Sequence, residues 1–180
     1  GVRAAIRGVY ERFAATQSAM LDRGPYVWNR VFMPRDATAS VLLIGDDAAA
    51  PEGYLVFGQE RDPKSGRHDV VLFDAAATTH RGWARGLGVL GRFRTMGDNA
   101  RFFAGPWHPW LMIEGEQIAR PVRTEAGLLR IVRLAEAIAG RGYPACASAT
   151  VELEVSDQAL AENAGRWTLR VEGGQGIATR

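Results

Sequence analysis

The sequence predicts an α+β chain: a mixed sheet with helices over residues 1–118, followed by a smaller α+β segment over residues 119–180. Three observations predict it. Three short apolar runs, Ser40–Ile44, Tyr54–Phe57 and Asp69–Phe73, are separated by turn-forming stretches (Gly45-Asp-Asp47, then Pro51-Glu-Gly53, then Asp62-Pro-Lys-Ser-Gly66), the pattern of a meander. Residues 78–96 then space Trp83, Leu87, Leu90 and Phe93 at helical intervals. Later, Thr150–Val155 alternates strictly, Val151, Leu153 and Val155 against Glu152 and Glu154.

Each element follows from its own residues. Val2, Ile6, Val9, Tyr10, Phe13 and Met20 lie at helical spacing with arginine on the other face, which predicts an amphipathic helix over 2–21 that Arg23-Gly-Pro25 breaks. After the meander, Thr78 or Thr79 is the capping signal of the 78–96 helix, whose arginines Arg81, Arg85, Arg92 and Arg94 form a solvated face while Trp83 and Phe93 pack inward. Arg101–Ala104 is a further candidate strand, and Pro106-Trp-His-Pro-Trp110 is a rigid aromatic loop. Residues 113–126 lack a clear period and read as a linker. Residues 128–134 predict a strand or short edge segment, and the helical spacing from Ala135 ends at Gly140-Arg-Gly142, a glycine C-cap. Thr150–Val155 and the run through Trp167, Leu169 and Val171 predict an antiparallel hairpin with one wet face, joined by a loop containing Asn163-Ala-Gly165.

Composition bounds the function. With 47% hydrophobic residues, 180 residues can build a packed core as one domain or two small ones. Twenty-two basic against twenty acidic residues leave a formal net charge of +2, which does not argue for nucleic acid. Lys64 is the one lysine, an arginine bias read as compositional. One cysteine, Cys146, excludes an internal disulfide and a cysteine-built metal set; it reads as a small, semi-buried residue, and the cytoplasm is the default compartment. No apolar run is long enough for a membrane helix. Gly1-Val-Arg-Ala-Ala-Ile-Arg7 lacks the long apolar centre of a signal peptide and does not begin with methionine, so residues are expected upstream.

Site motifs are few. Gly86-Leu-Gly-Val-Leu-Gly91 is a literal G-x-G-x-x-G, but a dinucleotide site needs those glycines at a strand-to-helix turn, and here they fall inside a helix. They read as positions of close helix packing, despite a cost of about 1 kcal/mol each. His68, His80 and His108 show no ligand spacing, so no metal is expected. No Gly-x-Ser-x-Gly elbow and no paired carboxylates stand out. Trp107, His108 and Trp110, held in a loop by prolines, are the candidate interaction surface.

In chain order, several of these places resemble the enhanced intracellular survival (Eis) acetyltransferases. Leu128-Leu129-Arg130-Ile131 stands where the family has Leu-Trp-x-Arg-hydrophobic, with Leu129 replacing the tryptophan. Ala139-Gly-Arg141-Gly-Tyr143 is similar to its Ala-x-x-Arg-x-Tyr helix end, and Leu153-Glu154-Val155-Ser-Asp157 to its Leu-Glu-Val-x-Asp strand. Upstream, Tyr10-Glu-Arg-Phe13, Met20-Leu-Asp-Arg23, Trp28 and Gly53-Tyr54-Leu-Val-Phe57 follow the family's order. The resemblance implies a degenerate GNAT (N-acetyltransferase) domain over 1–118, central in the family and without an acetyl-CoA site, and the start of a sterol-carrier-protein-like domain over 119–180. Meander, helix and further strand agree with a GNAT skeleton. The acetyl-CoA loop of GNAT enzymes, Arg/Gln-x-x-Gly-x-Gly/Ala, is not matched by His80-Arg-Gly-Trp-Ala-Arg-Gly-Leu-Gly88.

Intact relatives transfer acetyl groups from acetyl-CoA to amines, including those of aminoglycosides and lysine. Their cofactor loop and general-acid tyrosine belong to an N-terminal domain and their base is the terminal carboxylate; none matches a position here, and Arg180 ends before the family's terminus. The resemblance therefore implies that this chain is a non-catalytic portion, with no catalytic residue and no bound cofactor of its own, although acetyl-CoA is implied for the intact protein. It would shape the substrate cavity, with Trp28 in its wall, and would contact the remaining acetyltransferase domains and further copies of itself. Whether the chain is itself an enzyme stays open. The alternative is a stand-alone lipid or small-ligand binding or scaffold module, with neither nucleic acid nor membrane as partner.

Overall fold

A computed structural model describes residues 1–17, 20–113, 119–125, 127 and 129–180, and it divides into two units, Gly1–Arg120 and Pro121–Arg180. Residues 114–118, within the expected linker, lie outside the described residues, as does Leu128 of the edge-segment motif.

The first unit is built on the meander. β1 (Ser40–Ile44), β2 (Gly53–Arg61) and β3 (His68–Ala77) pair antiparallel in chain order, and β4 (Ala100–Arg101) joins β3 in parallel through Val70↔Ala100 and Val71↔Arg101. The sheet is therefore mixed. Beyond those two pairs β3 runs on to Ala77 while β4 stops, so the two strands part company. β2 alternates between two buried faces, Tyr54 and Val56 pointing one way and Leu55 and Phe57 the other, and the register shift at Val56/Phe57 passes over Phe73, so that β3 presents Val70 and Leu72 and then Ala77 to one face and Ala76 to the other. Tyr54, Val56 and Ala76 pack against α1 (Val2–Ala14) and α2 (Pro25–Phe32) through Ile6, Val9, Tyr10, Trp28 and Val31. Leu55, Phe57, Val70 and Leu72 pack against α3 (His80–Arg92) and α4 (Pro109–Ile113) through Trp83, Leu90 and Trp110.

Several sequence expectations change here. The helix predicted over 2–21 ends at Ala14, so Met20 lies beyond it. Pro25 starts a helix: it occupies the first turn of α2, where a missing N–H costs nothing and its fixed φ is already helical. The predicted strand Arg101–Ala104 is the short β4. For α3 the threonine signal holds, since the Thr79 hydroxyl accepts from the Gly82 N–H at 2.9 Å, and a 3₁₀ turn, Phe93–Thr95, follows it.

The glycines of the G-x-G-x-x-G run are all helical and divide by environment. A side chain at Gly86 would meet Ile44 at 3.2 Å and Trp110 at 3.3 Å, and one at Gly82 would meet Ala77 at 3.0 Å, so this i, i+4 pair lets α3 lie close to the sheet. Gly88 and Gly91 face open space, and no contact explains them.

The second unit holds α5 (Leu134–Gly140) and an antiparallel sheet, β5 (Ala149–Val155), β6 (Gly165–Glu172) and β7 (Gln175–Thr179). The hairpin is present, and a third strand extends it through a two-residue turn, Gly173-Gly174, with φ of +57° and +83°. Residues 129–133 form no strand, and α5 ends with Arg141 in extended conformation instead of a left-handed glycine. Cys146, expected to be semi-buried, is exposed.

The motif residues of this unit do meet. Asn163, 4% exposed, accepts from the Leu134 N–H at the start of α5 and donates to the carbonyls of Ile131 and Val132 and to Asp157. Arg130 pairs with Asp157. The Tyr143 ring lies against Gly176, where no side chain would fit, and the Tyr143 N–H donates to Gly174 at 3.2 Å.

Candidate functional site

The β3–α3 junction of the first unit is concave. A cleft of about 190 Å³ opens there, lined by Arg12, Phe13 and Gln17 on one side and by Thr78, His80 and Trp83 on the other. The crossover from β3 to α3 beside it is only Thr78-Thr79, which turns the chain directly from strand into helix. Arg12 is held by its hydrogen bond to the Pro51 carbonyl at 3.0 Å.

Glu52 stands beside the helix start. Its carboxylate accepts from the Thr79 hydroxyl at 2.8 Å and from two guanidinium nitrogens of Arg81, while its backbone carbonyl accepts from Thr78. The Arg81 and Thr79 hydrogen bonds hold the Glu52 carboxyl below the usual carboxylate range, so it is ionised. Asp46 pairs with Arg81 and Arg85, extending the network.

Behind the helix the aromatic loop is folded in, not uniformly displayed. Trp110 is 4% exposed and its indole N–H donates to the Trp83 carbonyl at 2.9 Å. His108 packs between Trp83, Phe102 and Trp110, and burial pushes its pKa down to about 4, so the ring is neutral near pH 7. Of the three candidate surface residues only Trp107 is displayed, at 81% exposure. Trp28 lies on the other side of the sheet, 5% exposed, edge-on to Tyr10 and stacked on Phe32, and does not line the cleft.

Sequence reasoning missed one buried polar cluster entirely. Arg23 reaches Asp74 with two hydrogen bonds, 2.5 and 2.9 Å, and Tyr54 donates its hydroxyl to Asp74 at 2.6 Å. The partners are 51 and 20 residues apart, so no local signal joins them. Burial, reinforced by the Asp74 charge, raises the Tyr54 phenol, which stays protonated; burial works against the Arg23 charge, but Asp74 outweighs it and raises the guanidinium. Among the described residues no group of three metal-ligating side chains gathers, and no helix is long and apolar enough to cross a membrane.

Against this geometry, comparison with known proteins is decisive for the family. An acetyltransferase (GNAT) domain model matches residues 19–134. The chain belongs to that acetyltransferase family. A sterol carrier protein domain model matches residues 134–180, which include α5 and the three-stranded sheet. Among solved structures, a GCN5-related N-acetyltransferase from Anabaena variabilis superposes with a TM-score of 0.87 at 28% identity, covering 96% of this chain and 44% of that one. A probable N-acyltransferase from Enterococcus faecalis, 16% identical, superposes with a TM-score of 0.68 over 99% of this chain and 44% of its own. A GCN5-related N-acetyltransferase from Kribbella flavida gives 0.52 at 24% identity over 71% and 31% of the two chains. The last two speak for the fold alone. The chain thus spans less than half the length of these structures. No curated protein matches it.

These findings correct the expected catalytic role. An acetyltransferase domain lies within this chain, so the reading of it as a non-catalytic portion whose catalytic domain is elsewhere is overturned. A GNAT domain implies use of acetyl-CoA. The start of α3, the place where such a helix offers N–H groups to phosphate, does not fit a pyrophosphate as it stands. The crossover is two residues long, Thr79 already takes the Gly82 N–H, and the ionised Glu52 carboxylate borders the helix start.

Proposed function

We propose that the protein containing this chain is an acetyl-CoA-dependent N-acetyltransferase acting on amines. The observation that carries this reading is the acetyltransferase domain match over residues 19–134. The Anabaena structure, similar along nearly the whole chain, supports it. The motif order described above supports an Eis-type acceptor class, amines such as those of aminoglycosides and lysine side chains. Exposed Trp107 and Phe103 are the residues we assign to contacts with further domains or a second copy.

Thiol release from acetyl-CoA, followed with and without a panel of primary amines, tests the reading on the full-length gene product. Amine-dependent release of CoA, with a mass gain of one acetyl group on the acceptor, is the expected result. Acetyl-CoA binding without transfer to any amine would sink it.

A further inference from the structure

The cluster around Arg23 has the composition of a binding site for an organic cation. A carboxylate, Asp74, offers both oxygens in bidentate geometry. The Tyr10 ring lies 3.6 Å from the guanidinium carbon, and the Trp28 ring 5.0 Å from it. Both distances fall within the reach of cation–π attraction. Tyr54 orients the carboxylate by donating to it, and Tyr10 is itself held by donating its hydroxyl to the Leu21 carbonyl at 2.8 Å. The remaining cation near these rings, Arg7, sits 5.6 Å from Trp28 and is exposed. Every group that recognises a guanidinium is present, and the occupant is the protein's own side chain.

The site also reaches solvent. The side chains of Arg23 and Asp74 keep 14% and 10% of their exposure, whereas Tyr10, Trp28 and Tyr54 are buried, so a ligand head reaches the rings only as Arg23 leaves. Arg23 enters from the segment between α1 and α2, whose neighbours Leu21 and Asp22 are exposed.

We propose that Tyr10, Trp28, Tyr54 and Asp74 form a cation subsite filled internally by Arg23, and that a ligand bearing a guanidinium or primary ammonium head takes its place. This rests on binding chemistry alone and is independent of acyl transfer. A tethered arginine competes at an effective concentration on the order of millimolar, so a free monovalent cation displaces it only above that range.

The test titrates methylguanidinium chloride, with methylurea as its neutral isostere, into the unaltered protein and into Arg23→Ala. Thermal shift reports on the variant, and the Arg23 side-chain Nε–H resonance reports on the unaltered protein. In Arg23→Ala we expect saturable stabilisation by methylguanidinium with half-saturation at least tenfold below that of methylurea. In the unaltered protein we expect the Arg23 resonance to move toward its solvent-exposed position with methylguanidinium and not with methylurea. Equal responses to both probes in the variant would overturn the proposal. If the variant does not fold, the resonance decides alone: an unmoved Arg23 signal at 0.1 M methylguanidinium, roughly a hundredfold above a millimolar effective concentration, makes Arg23 a fixed strut.

Discussion

The first unit buries both faces of its sheet, whereas in the second, among the described residues, Val171 is the one large apolar side chain below a tenth exposed. β2 reads as buried on six consecutive residues; β5 is exposed or half-exposed throughout. The second unit's order is instead concentrated in polar links: Asn163 to three backbone groups and Asp157, Arg130 to Asp157, and the Trp167 indole N–H to the Asn163 carbonyl at 2.9 Å. Hydrophobic burial is spread over many residues and tolerates the loss of small ones, while a hydrogen-bonded hub fails at one residue. The two units should therefore break under different mutations.

The largest expected effect is in the first unit. Trp110→Ala removes a buried indole that bonds Trp83 and packs beside Gly86, and we expect a loss of about 3–5 kcal/mol. Urea unfolding gives the size, and amide exchange resolved by segment gives the place. Protection should fall in β2, β3 and α3 and hold in β5–β7. Equal loss in both units would show that they unfold together and would break the comparison.

Asn163→Ala is the converse. It leaves the Leu134 N–H and the carbonyls of Ile131 and Val132 without their partner, at a cost of about 1–3 kcal/mol. Exchange should accelerate in α5 and β6 and leave β2 and β3 unchanged. An unaltered α5 would show that helix packing, not Asn163, fixes its start.

His108 should give the first unit an acid-sensitive window above the one in which the lowered carboxylates of both units, Glu52 and Asp157 among them, titrate. The His108 pKa is depressed to about 4 by burial, so the unfolded chain binds the extra proton first, and stability falls with pH between about 6.5 and 4. Asp157 is lowered by the backbone N–H groups of Leu160 and Ala159, so its contribution is present above the ordinary aspartate range and is lost at lower pH still. Melting temperatures taken from pH 7 to 4 should decline less for His108→Gln than for the unaltered protein. Parallel curves would mean that His108 is not the group that titrates.

Legibility did not follow that division. Apolar runs between turn signals gave β1, β2 and β3 and helical spacing gave α3, elements that pack against something; strict alternation gave β5 as well, although that strand is exposed or half-exposed throughout. Met20 extended the first helix only by coincidence of spacing. Gly24-Pro25 read as a stop because the signals for ending one helix and starting the next are shared, and nothing local says which applies. β7 follows Gly173-Gly174, a two-residue hairpin turn, but Gly176 and Ala178 give it too little apolar contrast to read as a strand. The Arg23–Asp74–Tyr54 cluster was unreadable for a different reason: it is made by tertiary contact between a loop and two strands. His108 and Trp110 were expected on an interaction surface and pack against Trp83 instead; a proline-flanked aromatic looks the same in sequence whether it is displayed or, like Trp110, tucked under a helix.

The smallest effect sharpens the comparison inside one helix. Gly86 and Gly88 stand two residues apart on α3 in opposite surroundings: Gly86 meets Ile44 and Trp110, and Gly88 meets nothing within 4 Å. At Gly88, alanine gains helix propensity with no steric debt, so Gly88→Ala should stabilise by up to about 1 kcal/mol. At Gly86 the same methyl must push Ile44 or Trp110 by a few tenths of an ångström, and overpacking of that kind costs about 1–3 kcal/mol. Opposite signs in chemical denaturation would confirm that α3 rests on its Gly82–Gly86 face. Stabilisation by both would show that the sheet yields to an added methyl, and the first unit's core would then be looser than its burial indicates.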